Sequence, residues 1–217
     1  MPTWLVALLV LTVAGCSGAG PSPVGNVGST VDSGAPVDAG LGELAAPHCA
    51  YPPGSYATAT GSTAPPSLTW QCFPPGAAEP STLKVTDLLD CDGSQGIGAV
   101  VFDESSTWCS DCQTEASSMD ALMAQKWTSE HVRVVTLMVE DESHHAATID
   151  TARAWRDHFQ LKLITVCADP AYTFKKTSGN GVPMSVLVDP RTMAVVAKFY
   201  NTPDPPEVDQ LAQQNDK

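Results

Sequence analysis

The most regular pattern in this sequence is a series of short apolar runs separated by stretches with helical spacing. The first run, IGAVVF at positions 97–102, is continuously apolar, which is typical of a strand buried on both faces. Four further strands are predicted at 131–140, 163–169, 184–189 and 193–200, and helices at 114–127, 146–159 and 206–214. This alternation predicts an α/β domain in which a central mixed β-sheet, built largely of βαβ units, is flanked by helices.

The chain ahead of this domain has a different composition. Residues 47–80 carry many prolines, which exclude a long helix, together with Tyr51, Trp70 and Phe73, which favour packing. They predict an irregular N-terminal arm, with room for a short hairpin, that packs against a domain at 81–217. Residues 16–46 begin with Cys16 and continue mostly with Gly, Ser, Ala, Pro, Val and Asp without periodicity, and this composition is typical of a flexible tether.

The first 15 residues have the pattern of an export signal. The apolar run from Trp4 to Ala14 is too short to span a bilayer and has the length of a signal-peptide core. The segment Val-Ala-Gly-Cys that ends at Cys16 resembles a bacterial lipobox, although no Lys or Arg precedes the run. The resemblance implies cleavage before Cys16, a lipid on its sulfur and anchoring in the cell envelope. Ser17 resembles the residue that directs such proteins to the periplasmic face of the outer membrane.

The formal net charge of −13 argues against nucleic acid as a binding partner. A nucleic-acid-binding surface needs clustered Lys and Arg to neutralise phosphates, and the 11 basic residues of this chain are scattered. We therefore expect no nucleic-acid partner and read the acidity as a solvated surface.

The strongest chemical signal is the sequence Cys109-Ser110-Asp111-Cys112, for which three roles compete. Zinc sites commonly need a second such pair or histidines at matching spacing, and this chain has neither. A purely structural disulfide rarely closes so small a ring. The redox role fits the context best, because the pair follows a buried strand and opens a helix. The helix N-terminus would stabilise a thiolate on Cys109. Cys112, one turn later on the same face, could then resolve a mixed disulfide.

Three features together resemble the thioredoxin-like superfamily, in particular its exported, lipoprotein-type thiol-disulfide oxidoreductases. Trp108 followed by the cysteine pair is similar to the thioredoxin active site. Asp103, six positions before Cys109, matches the buried acid that assists proton transfer at the second cysteine. Val182-Pro183, ahead of the strand at 184–189, looks like the cis-proline loop of the family. The resemblance covers roughly residues 80–214. It implies that Trp108, Val182 and Pro183 shape a substrate groove.

The same resemblance implies a protein that exchanges thiols and disulfides with cysteine-containing envelope proteins or a membrane thiol donor, without a metal or an organic cofactor. Ser110-Asp111 departs from the usual Gly-Pro type of dipeptide and leaves the direction of electron flow open. Two alternatives remain. One is a binding or structural module with a permanent disulfide. The other is a thiol peroxidase. The residue Phe102 argues against it, because peroxiredoxins have proline at the corresponding position.

Four other cysteines remain after Cys16 and the pair are set aside. In an exported chain, disulfides among them can persist. Cys49 and Cys72 bracket the proline-rich arm, so we expect a structural disulfide between them, with Cys72–Cys91 as a competing pairing. Cys167 lies in a predicted strand and is left as a buried free thiol or as a third redox thiol near the active site.

Overall fold

Seven strands form one sheet in the part of the chain that the structure describes. The structure is a computed structural model that describes residues 49–174 and 181–216. The strands are β1 (Thr69–Phe73), β2 (Ser81–Lys84), β3 (Ala99–Ser106), β4 (Val132–Glu140), β5 (Thr165–Ala168), β6 (Met184–Val188) and β7 (Val195–Tyr200). The helices are α1 (Ser110–Leu122), α2 (Ile149–Phe159) and α3 (Pro206–Asn215), with a 3-10 turn at Val85–Leu88 and a π-helical turn at Met123–Trp127.

The sheet is mixed, as the sequence predicts. The strand order is β2-β1-β5-β4-β3-β6-β7. β3, β4 and β5 are parallel neighbours, whereas β6 pairs antiparallel with β3, β7 with β6, and β1 with β5. The five strands expected from the apolar runs and the three expected helices are all present, so the predicted fold class is confirmed.

The core lies on both faces of the sheet, and β3 is buried along its whole length. Side chains alternate between faces along a strand. Val101 of β3 therefore joins a cluster with Met119 of α1 and Trp155 of α2, and Phe102 joins a second cluster with Trp70 and Phe174 on the opposite face. All three helices contribute to the first cluster, whereas the N-terminal arm and the 3-10 turn cover the second.

The arm contains more of the sheet than its prolines suggest. β1 lies entirely within residues 47–80 and forms a hairpin with β2, so the boundary drawn at residue 80 divides one antiparallel ladder. β1 was not predicted because proline-rich segments flank it on both sides. Its outer neighbour β2 is a four-residue edge strand that is largely solvent-exposed.

The disulfide pairing differs from the expectation. The structure joins Cys49 to Cys91 and Cys72 to Cys167, so both the predicted Cys49–Cys72 bond and its competitor Cys72–Cys91 are wrong. The physical reason is the strand that sequence analysis missed. β1 pairs antiparallel with β5, which places Cys72 directly opposite Cys167 with their Cα atoms 4.0 Å apart. Cys167 is accordingly neither a free thiol nor a third redox thiol.

The predicted signal peptide at 1–15, the lipidated Cys16 and the tether at 16–46 lie outside the described residues. Within residues 49–174 and 181–216, no helix combines the length and the apolar character needed to cross a bilayer.

Candidate active site

The cysteine pair lies where β3 ends and α1 begins. Cys109 is the N-cap of α1, and the backbone N–H of Cys112 donates to its sulfur over 3.1 Å. The two sulfurs form a disulfide, and Cys112 is fully buried while Cys109 is 6% exposed. Of the pair, only Cys109 has any surface from which another molecule could reach it.

The Val182–Pro183 peptide bond is cis, and it places backbone directly against the pair. The carbonyl oxygen of Val182 lies 3.5 Å from the sulfur of Cys109. Pro183 lines a cavity of about 310 Å³ together with Asp111 and Glu115 from the first turns of α1. The structure thus brings Cys109, Cys112, Val182 and Pro183 together at one end of the sheet.

Two acids follow each other on β3, and both are buried. Asp103 is on the same face of β3 as Val101, the face covered by α1, and is 3% exposed. Its Oδ2 atom accepts hydrogen bonds from Ser105 and Thr136 at 3.1 and 3.2 Å. Glu104 is on the opposite face, where its Oε1 accepts from the backbone N–H of Phe174 at 2.7 Å. The sequence could not decide which acid is buried. Strand alternation puts Asp103 on the side of the helix that carries Cys112.

A third buried acid, Glu115, was missed by the sequence analysis. It is 7% exposed and lies one helical turn after Cys112, on the same inward face of α1. Asp103 Oδ1 and Glu115 Oε1 have no hydrogen-bond partner among the described residues. The spacing of three residues from Cys112 is the signal that could have identified Glu115, because that spacing returns a helical side chain to the same face.

Burial controls the titration of these two carboxyl groups. Desolvation raises the pKa of Asp103 to about 6, against the lowering effect of its bonds from Ser105 and Thr136. Desolvation, followed by the nearby charge of Asp103, raises the pKa of Glu115 to about 8. Near neutral pH the two carboxyls therefore hold one proton between them, on the α1 side of β3.

Trp108 lies at the rim of the site and is 37% exposed. Its indole N–H donates to Glu140 Oε2 at 2.7 Å. Among the described residues, no group of three or more His, Cys, Asp and Glu side chains is arranged to hold a metal ion.

Comparison with known proteins gives structural neighbours only. No protein-family model matches the sequence, and no curated protein matches it. A thiol:disulfide interchange protein of the DsbE type from Chlorobium tepidum is 22% identical, with 72% of this chain and 94% of that chain covered and a TM-score of 0.47. A protein disulfide isomerase from Bacteroides thetaiotaomicron is 16% identical, with 74% and 89% covered and a TM-score of 0.49.

A 2-Cys peroxiredoxin from Plasmodium vivax is 13% identical, with 71% of this chain and 80% of that chain covered and a TM-score of 0.50. Likeness at this low identity reports a shared fold and leaves the reaction to be argued from the site itself.

Proposed function

From the thioredoxin-like fold of this chain, we propose that the protein is a thiol-disulfide oxidoreductase that acts on envelope proteins through Cys109 and Cys112. The observation that carries this proposal is the position of the Cys109–Cys112 disulfide. It caps the N-terminus of α1 and lies against the cis Val182–Pro183 bond. Free N–H groups at a helix N-terminus favour a negative charge, so this position suits a thiolate on Cys109.

The chemistry begins from the reduced pair. The Cys109 thiolate attacks one sulfur of a substrate disulfide, whose S–S bond breaks as the mixed disulfide forms, and the leaving sulfur takes up a proton. Cys112 then loses its proton, attacks the Cys109 sulfur and expels the second substrate thiolate, which is protonated in turn. Two electrons have moved from the protein to the substrate. The reverse sequence oxidises a substrate dithiol.

Asp103 and Glu115 are the proposed proton acceptors for Cys112. Cys112 is fully buried, so its proton cannot pass directly to solvent. The acids share its surroundings, with Glu115 one turn away on α1 and Asp103 on the strand face that α1 covers. Since the pair of acids holds one proton near pH 7, it can accept a second one from the Cys112 thiol and release it later.

The proposed location is the periplasmic face of the outer membrane, with the protein anchored by a lipid on Cys16. The Cys49–Cys91 and Cys72–Cys167 disulfides support an oxidising compartment, because structural disulfides rarely persist in the cytosol. The proposed partners are cysteine-containing envelope proteins or a membrane thiol donor, with Trp108, Val182 and Pro183 as their proposed contacts beside Cys109.

Trapping of mixed disulfides tests the function. A Cys112→Ala protein should accumulate covalent adducts with its partners, because the resolving attack is lost, and a Cys109→Ser protein should form none. The reduction potential of the pair, measured by glutathione titration, separates the two directions. A value near −270 mV indicates a reductant and a value near −120 mV an oxidant. A pair that stays oxidised across this range, with no adducts, would establish a permanent structural disulfide and refute the enzyme.

A further inference from the structure

Glu140, the last residue of β4, bridges two aromatic side chains beside the cysteine pair. Its Oε2 atom accepts the indole N–H of Trp108 at 2.7 Å, and its Oε1 atom accepts the phenol O–H of Tyr172, also at 2.7 Å. The imidazole of His144 lies against the indole with ring centroids 4.8 Å apart, and its Nδ1 is 3.6 Å from Glu140 Oε2. These four residues are called the Glu140 cluster below.

Two members of the Glu140 cluster have an unusual backbone conformation. His144 has a φ of 61° and Tyr172 a φ of 54°, both in the left-handed region that costs free energy for residues with large side chains. An aspartate holds each of the two turns. Asp141 accepts from the backbone N–H of His145, and Asp169 accepts from the backbone N–H and hydroxyl of Thr173. Two turns of the chain are thus held in a backbone conformation of raised free energy, and each turn places an aromatic ring in the Glu140 cluster.

The Glu140 cluster connects to the redox turn through the backbone as well. The N–H of Thr107 donates to the carbonyl oxygen of Glu140 at 3.3 Å, two residues before Cys109. The strands are irregular at this point, since the register of β3 against β4 shifts between Ser105 and Ser106. Glu140 therefore fixes both the start of the redox turn and the aromatic ring that follows it.

The bonds of Glu140 determine what Trp108 presents to solvent. The indole N–H is occupied by the carboxylate, whereas more than a third of the residue is exposed. Burial and the bond to Glu140 raise the pKa of Tyr172 to about 12, so its phenol remains a donor throughout the neutral range. What remains available on Trp108 is an apolar surface in a fixed orientation immediately before Cys109, which suits an extended polypeptide more than a small molecule.

We propose that Glu140 is a positioning residue that holds Trp108 as a rigid wall, against which a substrate polypeptide docks before its disulfide reaches Cys109. This inference rests on the proposed oxidoreductase function and deepens it by identifying a determinant of protein substrates. A small disulfide is expected to react at Cys109 without depending on this wall. The Glu140 cluster therefore contributes to the binding of proteins and leaves the sulfur chemistry unchanged.

Steady-state kinetics with two substrates tests the inference: insulin as a disulfide-bonded protein and cystamine as a small disulfide. For Glu140→Ala we expect the KM for insulin to rise about tenfold with kcat within twofold of wild type, since uniform binding is lost. The kinetics with cystamine and the reduction potential of the pair should not change. Glu140→Gln keeps one acceptor oxygen and should fall between Glu140→Ala and wild type. Glu142→Gln, an exposed glutamate two residues later, is the matched control and should behave as wild type.

A double-mutant cycle identifies the residue through which Glu140 acts. In a Trp108→Phe background, Glu140→Ala should raise the KM for insulin no further. An equal loss of activity toward insulin and cystamine in both Glu140 variants would overturn the inference, because Glu140 would then act on the thiols. Unchanged kinetics in both variants would overturn it as well. In each of these cases wild-type activity leaves the proposed function intact, whereas a wild-type protein that neither reduces these disulfides nor oxidises the corresponding dithiols overturns both.

Discussion

Replacing Glu115 by Gln should make the folded protein more stable at alkaline pH, although it removes a charged residue. The carboxyl of Glu115 has a pKa of about 8 in the folded protein, against 4.5 for an ordinary glutamate. Between these two values the unfolded chain releases the proton of Glu115 whereas the folded chain keeps it. The stability of the folded protein therefore falls as the pH rises from 4.5 to 8.

The size of the effect follows from the two pKa values. Each pH unit between them corresponds to about 1.4 kcal/mol, so the full fall amounts to roughly 5 kcal/mol. Water that enters the 310 Å³ cavity beside Glu115 can solvate the ionised carboxylate and reduce this loss. We therefore expect Glu115→Gln to exceed wild type by about 2–5 kcal/mol in the free energy of unfolding at pH 9. Below pH 4.5 the two proteins should differ little, because both then carry a neutral side chain.

Urea unfolding of the oxidised protein, followed by far-UV circular dichroism at pH 4, 6, 8 and 9, measures this difference. Glu207→Gln, an exposed glutamate in the first turn of α3, is the control and should not change the slope of stability with pH. Parallel pH profiles for wild type and Glu115→Gln would refute the reasoning, since Glu115 would then ionise equally well in the folded and unfolded states.

Three further variants probe other parts of the structure. Replacing both Cys72 and Cys167 by Ser opens a loop of 95 residues and should lower the free energy of unfolding by about 3–5 kcal/mol, measured by urea unfolding. Arg191→Met removes the only ion-pair partner that the described residues give the buried carboxylate of Asp90, at 2.8 Å, leaves it with the backbone N–H groups of Gln95 and Ile97, and should cost about 3 kcal/mol at pH 7. The Arg191→Met loss should shrink in acid as that carboxylate is protonated, so equal losses at pH 3 and 7 would contradict the assignment. Gly98→Ala places a methyl group 2.7 Å from a backbone carbonyl oxygen and should lower Tm by several degrees in calorimetry, whereas an unchanged Tm would show that the backbone can move there.

The central strands and the helices could be predicted because burial on both faces, or on one helical face, leaves a periodic trace in the sequence. β1 leaves no such trace. Its five residues sit beside prolines, and its place in the sheet depends on its pairing with β5. The disulfides also differ in whether local sequence reveals them. A pair three residues apart can be recognised from the sequence, but the bond between Cys72 and Cys167 requires a strand register that local sequence does not contain.

Some residues of the candidate site can be recognised from the sequence, and others only from the fold. Cys109, Cys112 and Pro183 belong to motifs with fixed spacing, so a sequence can reveal them. Glu115 and Glu140 acquire their importance from burial and from bonds to residues distant in the chain. The three-residue spacing from Cys112 indicates the helix face of Glu115 but not its burial, and Glu140 at the end of a strand has no signal until the fold supplies Trp108 and Tyr172.

The Cys49–Cys91 disulfide determines how a force applied ahead of Cys49 would reach the sheet. Cys91 lines a cavity with Gly98 and His131, the residues that precede β3 and β4, so the bond lies at the end of the sheet opposite Cys109. The eight residues of β3 separate the two places by roughly 26 Å. A pull applied ahead of Cys49 passes through the S–S bond into the start of the sheet. A second covalent path leads from Cys49 along the chain to Cys72 and through its bond to Cys167 into β5, so two disulfides share the load, and Cys109 lies at the far end of β3 from both the Cys49–Cys91 bond and Gly98.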